Sequence, residues 1–219
     1  MDTTGNYKDR ALSVLEGNWR TMVLLTFLYI VIAEGVSRAL TLTCQLLWHA
    51  PEAKLAGSLL SIPITLVLLP VQWSYVASFL RLRNGEQVKV NNLFDCFKDY
   101  TRIFVTKLLQ FIYTMLWTML FIVPGVMKSY SYAMTDFILL DDPTISDDKA
   151  IDKSMKMMEG HRMELFKLDL SFIGWALLAG LTCCGLGFLL LSPYVYAAHA
   201  EFYEDLKQQG NSLEDITNL

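Results

Sequence analysis

The chain has 219 residues, a length that suits one domain spanning 1–219. Hydrophobic residues make up 53% and charged residues 18%, where an ordinary soluble domain carries about 25% charged. The net charge of −4 and the lack of a basic block exclude a nucleic-acid partner from the working hypotheses.

The first twenty residues are polar and charged, and the apolar run after them is longer than a signal-peptide core, so no cleavable signal peptide is expected. Long apolar runs then occur at 22–32, 59–69, 108–123 and 172–191. They are apolar all round, as helices solvated by lipid are. A helix needs about 20 residues to cross a bilayer core. Six spans are predicted, at about 20–47, 55–80, 103–123, 126–141, 165–183 and 186–207. Short turns join them in pairs: 49–54 with Pro51, then Pro124-Gly125, then Gly185-Leu186-Gly187. The predicted fold is all-α, a polytopic helical membrane protein with six transmembrane helices in three hairpins. A four-span arrangement, with 126–141 and 193–207 lying flat, is the rival.

Charge placement favours six. Lys8, Arg10 and Arg20 precede the first span. Arg81, Arg83, Lys89, Lys98, Arg102 and Lys107 lie between the second and third, and Lys149, Lys153, Lys156, Arg162 and Lys167 between the fourth and fifth. Six crossings put every cluster on the cytoplasmic side, as the positive-inside rule requires, with both termini cytoplasmic.

The hairpins read as copies of one unit, over 5–82, 88–141 and 145–207. Near the inner end of each second helix stands an aromatic-x-Tyr pattern: Trp73-Ser74-Tyr75, Tyr130-Ser131-Tyr132 and Tyr194-Val195-Tyr196. Phe79, Phe137 and Phe202 follow. The lead-in Glu16-Gly17-Asn18-Trp19-Arg20 resembles Glu159-Gly160-His161-Arg162. Chance similarity among aromatic-rich spans is the competing explanation. Amphipathic interfacial helices are expected before two hairpins. One carries Val90, Leu93, Phe94, Phe97 and Tyr100 on one face, capped by Asn91 or Asn92. The other starts after Ser146, with Asp147 and Asp148 at its positive end and an Ile151, Met155, Met158 stripe. They are read as lipid sensors or, more plainly, as connectors.

Specific stretches carry a family resemblance. They are Val123-Pro124-Gly125-Val126, Tyr130-Ser131-Tyr132-Ala133-Met134, Asp141-Asp142-Pro143, Leu170-Ser171-Phe172-Ile173-Gly174-Trp175 and Ser192-Pro193-Tyr194, with Ala150-Ile151, Ser154, Met157-Met158, Gly160-His161 and Leu165-Phe166 between them. Gly17-Asn18-Trp19 fits as well. In these the chain resembles the bacterial integral-membrane domain of unknown function numbered 975. It is similar, more distantly, to the membrane domain fused to some glycerophosphodiester phosphodiesterases. The resemblance implies a bacterial inner-membrane protein with no catalytic residues to carry over.

Ionisable and tyrosine side chains inside spans are the candidates for function. Glu34 and Arg38 are four apart on one face of the first span, where they line a polar path or neutralise each other. Lys128, Tyr132 and Asp136 share a side of the fourth span. Tyr196, His199 and Glu201 lie at comparable depth on the sixth, and Tyr75 on the second. Together they line a central cavity, or the tyrosines form the ordinary interfacial belt. Lys128 can also snorkel outwards. Motifs for zinc hydrolysis, a nucleophile elbow or a phosphate loop are absent from the sequence. Cys44, Cys96, Cys183 and Cys184 lack metal spacing and read as small buried hydrophobes. No catalytic residue, metal or cofactor is therefore predicted. The expected role is non-enzymatic, through membrane lipids, other membrane proteins or self-association. The alternative is a small transporter or channel using the charged residues and the prolines Pro63, Pro70, Pro124 and Pro193.

Overall fold

The computed structural model describes residues 4–47, 63, 65–181 and 186–217. Every regular element among them is helical. Among the described residues, three helices are long and apolar enough to cross a membrane: Trp19–Thr43, Thr65–Arg83 and Tyr100–Leu120. The predicted turn at 49–54 lies outside the described residues, as do 55–62 of the second span and Gly185 of the third turn.

Helix α1 (Thr4–Leu15) leads through Gly17 into α2 (Trp19–Leu47). Much later, α7 (Asp147–Met157) leads through Gly160 into α8 (Arg162–Leu170). Gly17 has φ 80° and Gly160 φ 83°, a left-handed backbone that costs glycine nothing. The similar lead-in sequences thus make similar turns.

Helix α3 (Leu69–Arg83) is the buried centre, with its residues Trp73 to Leu80 all inside. It packs against α1, α2 and the elements that follow. Pro70 sits in its first turn, where no donor is needed. The next element, Val90–Phe97, is a 3-10 helix and not the expected α-helix. That changes which residues share a face. At three residues per turn, Leu93 aligns with Cys96, and Phe94 with Phe97. Leu93 and Cys96 are accordingly buried, while Phe94 and Phe97 face out. The N-cap position is held by Lys89 and not by Asn91 or Asn92; Asn92, third in the helix, accepts the Lys89 N–H through its side chain at 2.9 Å. Burial alone would raise the Asp95 carboxyl, but Lys98 and Arg81 outweigh it and hold it below the usual range.

Helix α4 (Tyr100–Leu120) ends at Phe121, an extended residue at φ −154°, and α5 (Ile122–Ser131) starts at once. The reversal is therefore at Phe121, ahead of the Pro124-Gly125 dipeptide expected to form it. Pro124 lies in the first turn of α5, where its missing N–H is no loss. Gly125 is a contact residue: a Cβ there would fall 2.3 Å from Thr118 Oγ1 and 2.6 Å from Thr118 Cα. Beyond α5 the chain returns alongside α4. Gln110 reaches the Tyr132 carbonyl at 3.2 Å, Lys107 meets Asp136, and Arg102 reaches the Leu139 carbonyl at 3.3 Å.

The segment 126–141, read as one helix, is two. A turn at Tyr132 to Met134 separates α5 from α6 (Thr135–Asp141). The carbonyls near this break are satisfied from elsewhere: Ser154 Oγ donates to Ser131 O at 2.8 Å, and Gln110 Nε2 to Tyr132 O. The segment 165–183 is likewise interrupted, at Ser171 and Phe172, between α8 and α9 (Ile173–Leu181). Here Lys8 of α1 donates to Ser171 O at 3.0 Å and lies over the Phe172 ring. Helix α10 (Gly187–Thr217) runs on through Pro193 without a break.

Candidate functional site

The nine predicted residues do not form one cluster. Tyr75, on α3, and Tyr196, on α10, do come together, with rings 5.2 Å apart and edge-on. Tyr29 of α2 stacks on Tyr75 at 4.7 Å, and Thr26 Oγ1 lies 3.0 Å from the Tyr75 hydroxyl. Tyr75 is 1% exposed, so this aromatic centre is filled by its own rings. Tyr132 is buried elsewhere, in the turn after α5.

The charged residues are each taken up by a partner. Lys107 Nζ lies 2.7 Å from both carboxylate oxygens of Asp136, and both residues are 8% exposed. Trp73 Nε1 donates to the Asp136 carbonyl at 3.0 Å, tying α3 to the pair. His199 meets Asp169 at 2.6 Å, and Asp169 also accepts the Tyr130 hydroxyl at 3.0 Å. Glu201 is held by Arg83 at 3.3 Å and Arg10 at 3.6 Å. Arg83 also reaches Glu204, and Asp141 gathers Tyr203 and Lys207. These bonds fasten α1, α3 and α6 to the part of α10 around Glu201 to Lys207. Lys128 lies over the Trp117 ring at 5.2 Å and 3.7 Å from Met155 Sδ. Glu34 and Arg38 pair at 3.6 Å as their spacing predicts, but their side chains are 62% and 78% exposed and lie on the outside of α2.

Lys107, Asp169, Arg83 and Arg10 were not singled out in the sequence. One signal for Lys107 was available: it lies about as far before the Phe121 turn as Asp136 lies after it, 14 residues against 15. Asp169 and Arg10 come from elements whose docking no local pattern announces. Among the described residues no three His, Cys, Asp or Glu gather in a way that would hold a metal.

The cavities lie at the surface. One, of about 420 Å³, lies between α1, the start of α2, α9 and α10, lined by Leu12, Trp19, Trp175, Leu178, Leu190 and Tyr194. A second, of about 530 Å³, lies between α5 and α8, lined by Ile122, Val126, Met127, Met163 and Phe166, with Arg162 and Gly160 at its edge. Both are apolar in their lining. A third, of about 570 Å³, is polar, between α7 and α10, with Lys153, Lys156 and Lys207 beside Asp141, Asp142 and Glu159. Signs alternate there, so it holds no net field for one kind of ion.

A family model described as "Protein of unknown function (DUF975)" matches residues 123–210. No curated protein matches the chain, and no solved structure does.

Proposed function

We propose that the chain is a non-enzymatic bacterial inner-membrane protein that acts through contact with lipid or with other membrane proteins. It crosses six times as three hairpins, with both termini cytoplasmic. The observation that carries the reading is a division of labour. Buried carboxylates are consumed in pairs, Asp136 by Lys107 and Glu201 by Arg83, while the apolar grooves open outward. A conducting path needs polar groups facing a wet lumen, whereas a lipid-facing scaffold needs shaped apolar surface.

Further support comes from the surface. Phe111, Met115, Leu116, Met119, Ile122 and Leu181 are large apolar residues left exposed, far more than a soluble surface keeps. Phe94, Phe97, Tyr100 and Phe104 form a stacked ladder from the 3-10 helix onto α4, with centroids 6.4, 6.0 and 5.7 Å apart. Aromatic side chains at this position suit the headgroup boundary. The 3-10 helix then marks the inner interface, consistent with the lysine and arginine clusters on that side.

One observation favours a transporter as the second reading. The α5–α6 break stands beside the buried Lys107–Asp136 pair, and the Gln110 Oε1 and Thr135 Oγ1 atoms there are buried without a hydrogen-bond partner. Broken helices with polar groups are how transporters build sites. The test is to purify the protein in nanodiscs and extract it into mild detergent. Phospholipid that stays bound is measured, alongside proton and cation flux in proteoliposomes. Retained phospholipid without flux is expected. Flux that Asp136→Asn abolishes, from a protein that keeps no lipid, would transfer the case to the transporter.

A further inference from the structure

We infer that the α5–α8 groove is a binding site for one inner-leaflet anionic phospholipid, its acyl chain along α5 and its phosphate on Arg162. This deepens the lipid reading above and rests on it. The groove's volume, about 530 Å³, falls within the ~300–1,000 Å³ of ordinary ligand sites. Its wall is Ile122, Val123, Val126, Met127, Met163 and Phe166. The lining runs from Ile122, at the start of α5, to Gly160 and Arg162, at the start of α8. Tyr130 closes its inner side, its ring edge-on to Phe166 at 5.8 Å and its hydroxyl held by Asp169.

The chemistry at the cytoplasmic edge selects the headgroup. Arg162 is the one charged residue of the groove lining. Its Nε is buried without a hydrogen-bond partner, and no described carboxylate forms an ion pair with it. The nearest acid on its own helix, Glu164, is turned to His161 at 3.2 Å. Lys107 and Arg83, by contrast, each have a carboxylate partner. Arg162 also opens α8, and no side chain caps the first turn. Helix-start N–H groups and a guanidinium fork both favour an oxyanion. Gly160, with open space where a Cβ would be, leaves room beside it for a headgroup. A lone arginine at the mouth of an apolar groove matches a phosphodiester with a hydrocarbon tail. It matches neither a free anion, which needs no groove, nor a neutral lipid, which needs no arginine.

The test is native mass spectrometry of the full chain released from nanodiscs, titrated separately with phosphatidylglycerol and phosphatidylcholine. Parent, Arg162→Gln, Arg162→Lys and Met127→Trp are compared, with thermal unfolding as the folding control. The parent is expected to hold one phosphatidylglycerol in preference to phosphatidylcholine. Arg162→Gln should bind phosphatidylglycerol roughly tenfold more weakly, the scale of one lost charge-assisted hydrogen bond, and Arg162→Lys should fall between. Met127→Trp, which fills the groove from an outward-facing position, should weaken both lipids. A parent that keeps no phospholipid overturns the site and the lipid reading together. A parent that keeps phosphatidylglycerol with unchanged affinity in all three variants overturns the Arg162 site and leaves the lipid reading standing.

Discussion

Lys107 of α4 and Asp136 of α6 face each other at 2.7 Å, each almost wholly out of solvent. The pair joins two helices separated by a reversal at Phe121, and Trp73 of α3 donates to the same turn of α6. It belongs to the folding of the bundle. Removing one partner strands a charge in low dielectric, which costs about 3–5 kcal/mol. Lys107→Met and Asp136→Asn should therefore each lower the thermal midpoint in detergent strongly, and a Lys107→Leu, Asp136→Leu double variant much less. Equal stability of both single variants with the parent would mean that the pair is not buried in the embedded protein.

Gly125 is where α5 touches α4. A Cβ there would overlap both the side chain and the backbone of Thr118. The backbone cannot rotate away as a side-chain tip can, so Gly125→Ala must push the helices apart. The expected loss is about 1–3 kcal/mol, the usual cost of overpacking. Thr118→Ala in the same chain should recover only part of it. Chemical denaturation in mild detergent reads this directly, and an unaltered midpoint for Gly125→Ala would refute the close contact.

Asp95 anchors the 3-10 helix through Arg81 and Lys98. Its folded pKa lies below the ordinary value near 3.9. A depressed carboxylate contributes stability that is fully present above the unfolded pKa and lost as pH falls through the folded one. The gap in thermal midpoint between parent and Asp95→Asn should thus be constant from pH 7 to about pH 5 and shrink below about pH 4. A gap that grows as pH falls would contradict the pairing.

The sequence made the helical class and the long apolar helices legible, because apolar runs and their lengths are local properties. It also made the Glu34–Arg38 pair legible, since spacing alone sets it. The pair's outward position was not, because exposure depends on which neighbours pack against α2. The breaks at 132–134 and 171–172 were hidden for a related reason. Neither contains proline or glycine. Each is stabilised by side chains far away in the chain, Gln110 and Ser154 for one and Lys8 for the other. The 3-10 geometry of Val90–Phe97 was equally hidden, since Leu93, Phe94 and Phe97 satisfy a period of 3.6 nearly as well as 3.0. The grooves arise where α5 meets α8 and α9 meets α10, so no single segment announces them.

The orientation of the chain underlies the lipid site, the interfacial ladder and the six crossings alike. Impermeant thiol labelling tests it in a background with Cys44, Cys96, Cys183 and Cys184 replaced by alanine. Val123→Cys reports on the α4–α5 turn, and Ser146→Cys on the segment ahead of α7. Six crossings predict that Val123→Cys labels in intact cells and that Ser146→Cys labels only once the inner face is opened. Labelling of Ser146→Cys in intact cells would contradict the arrangement outright.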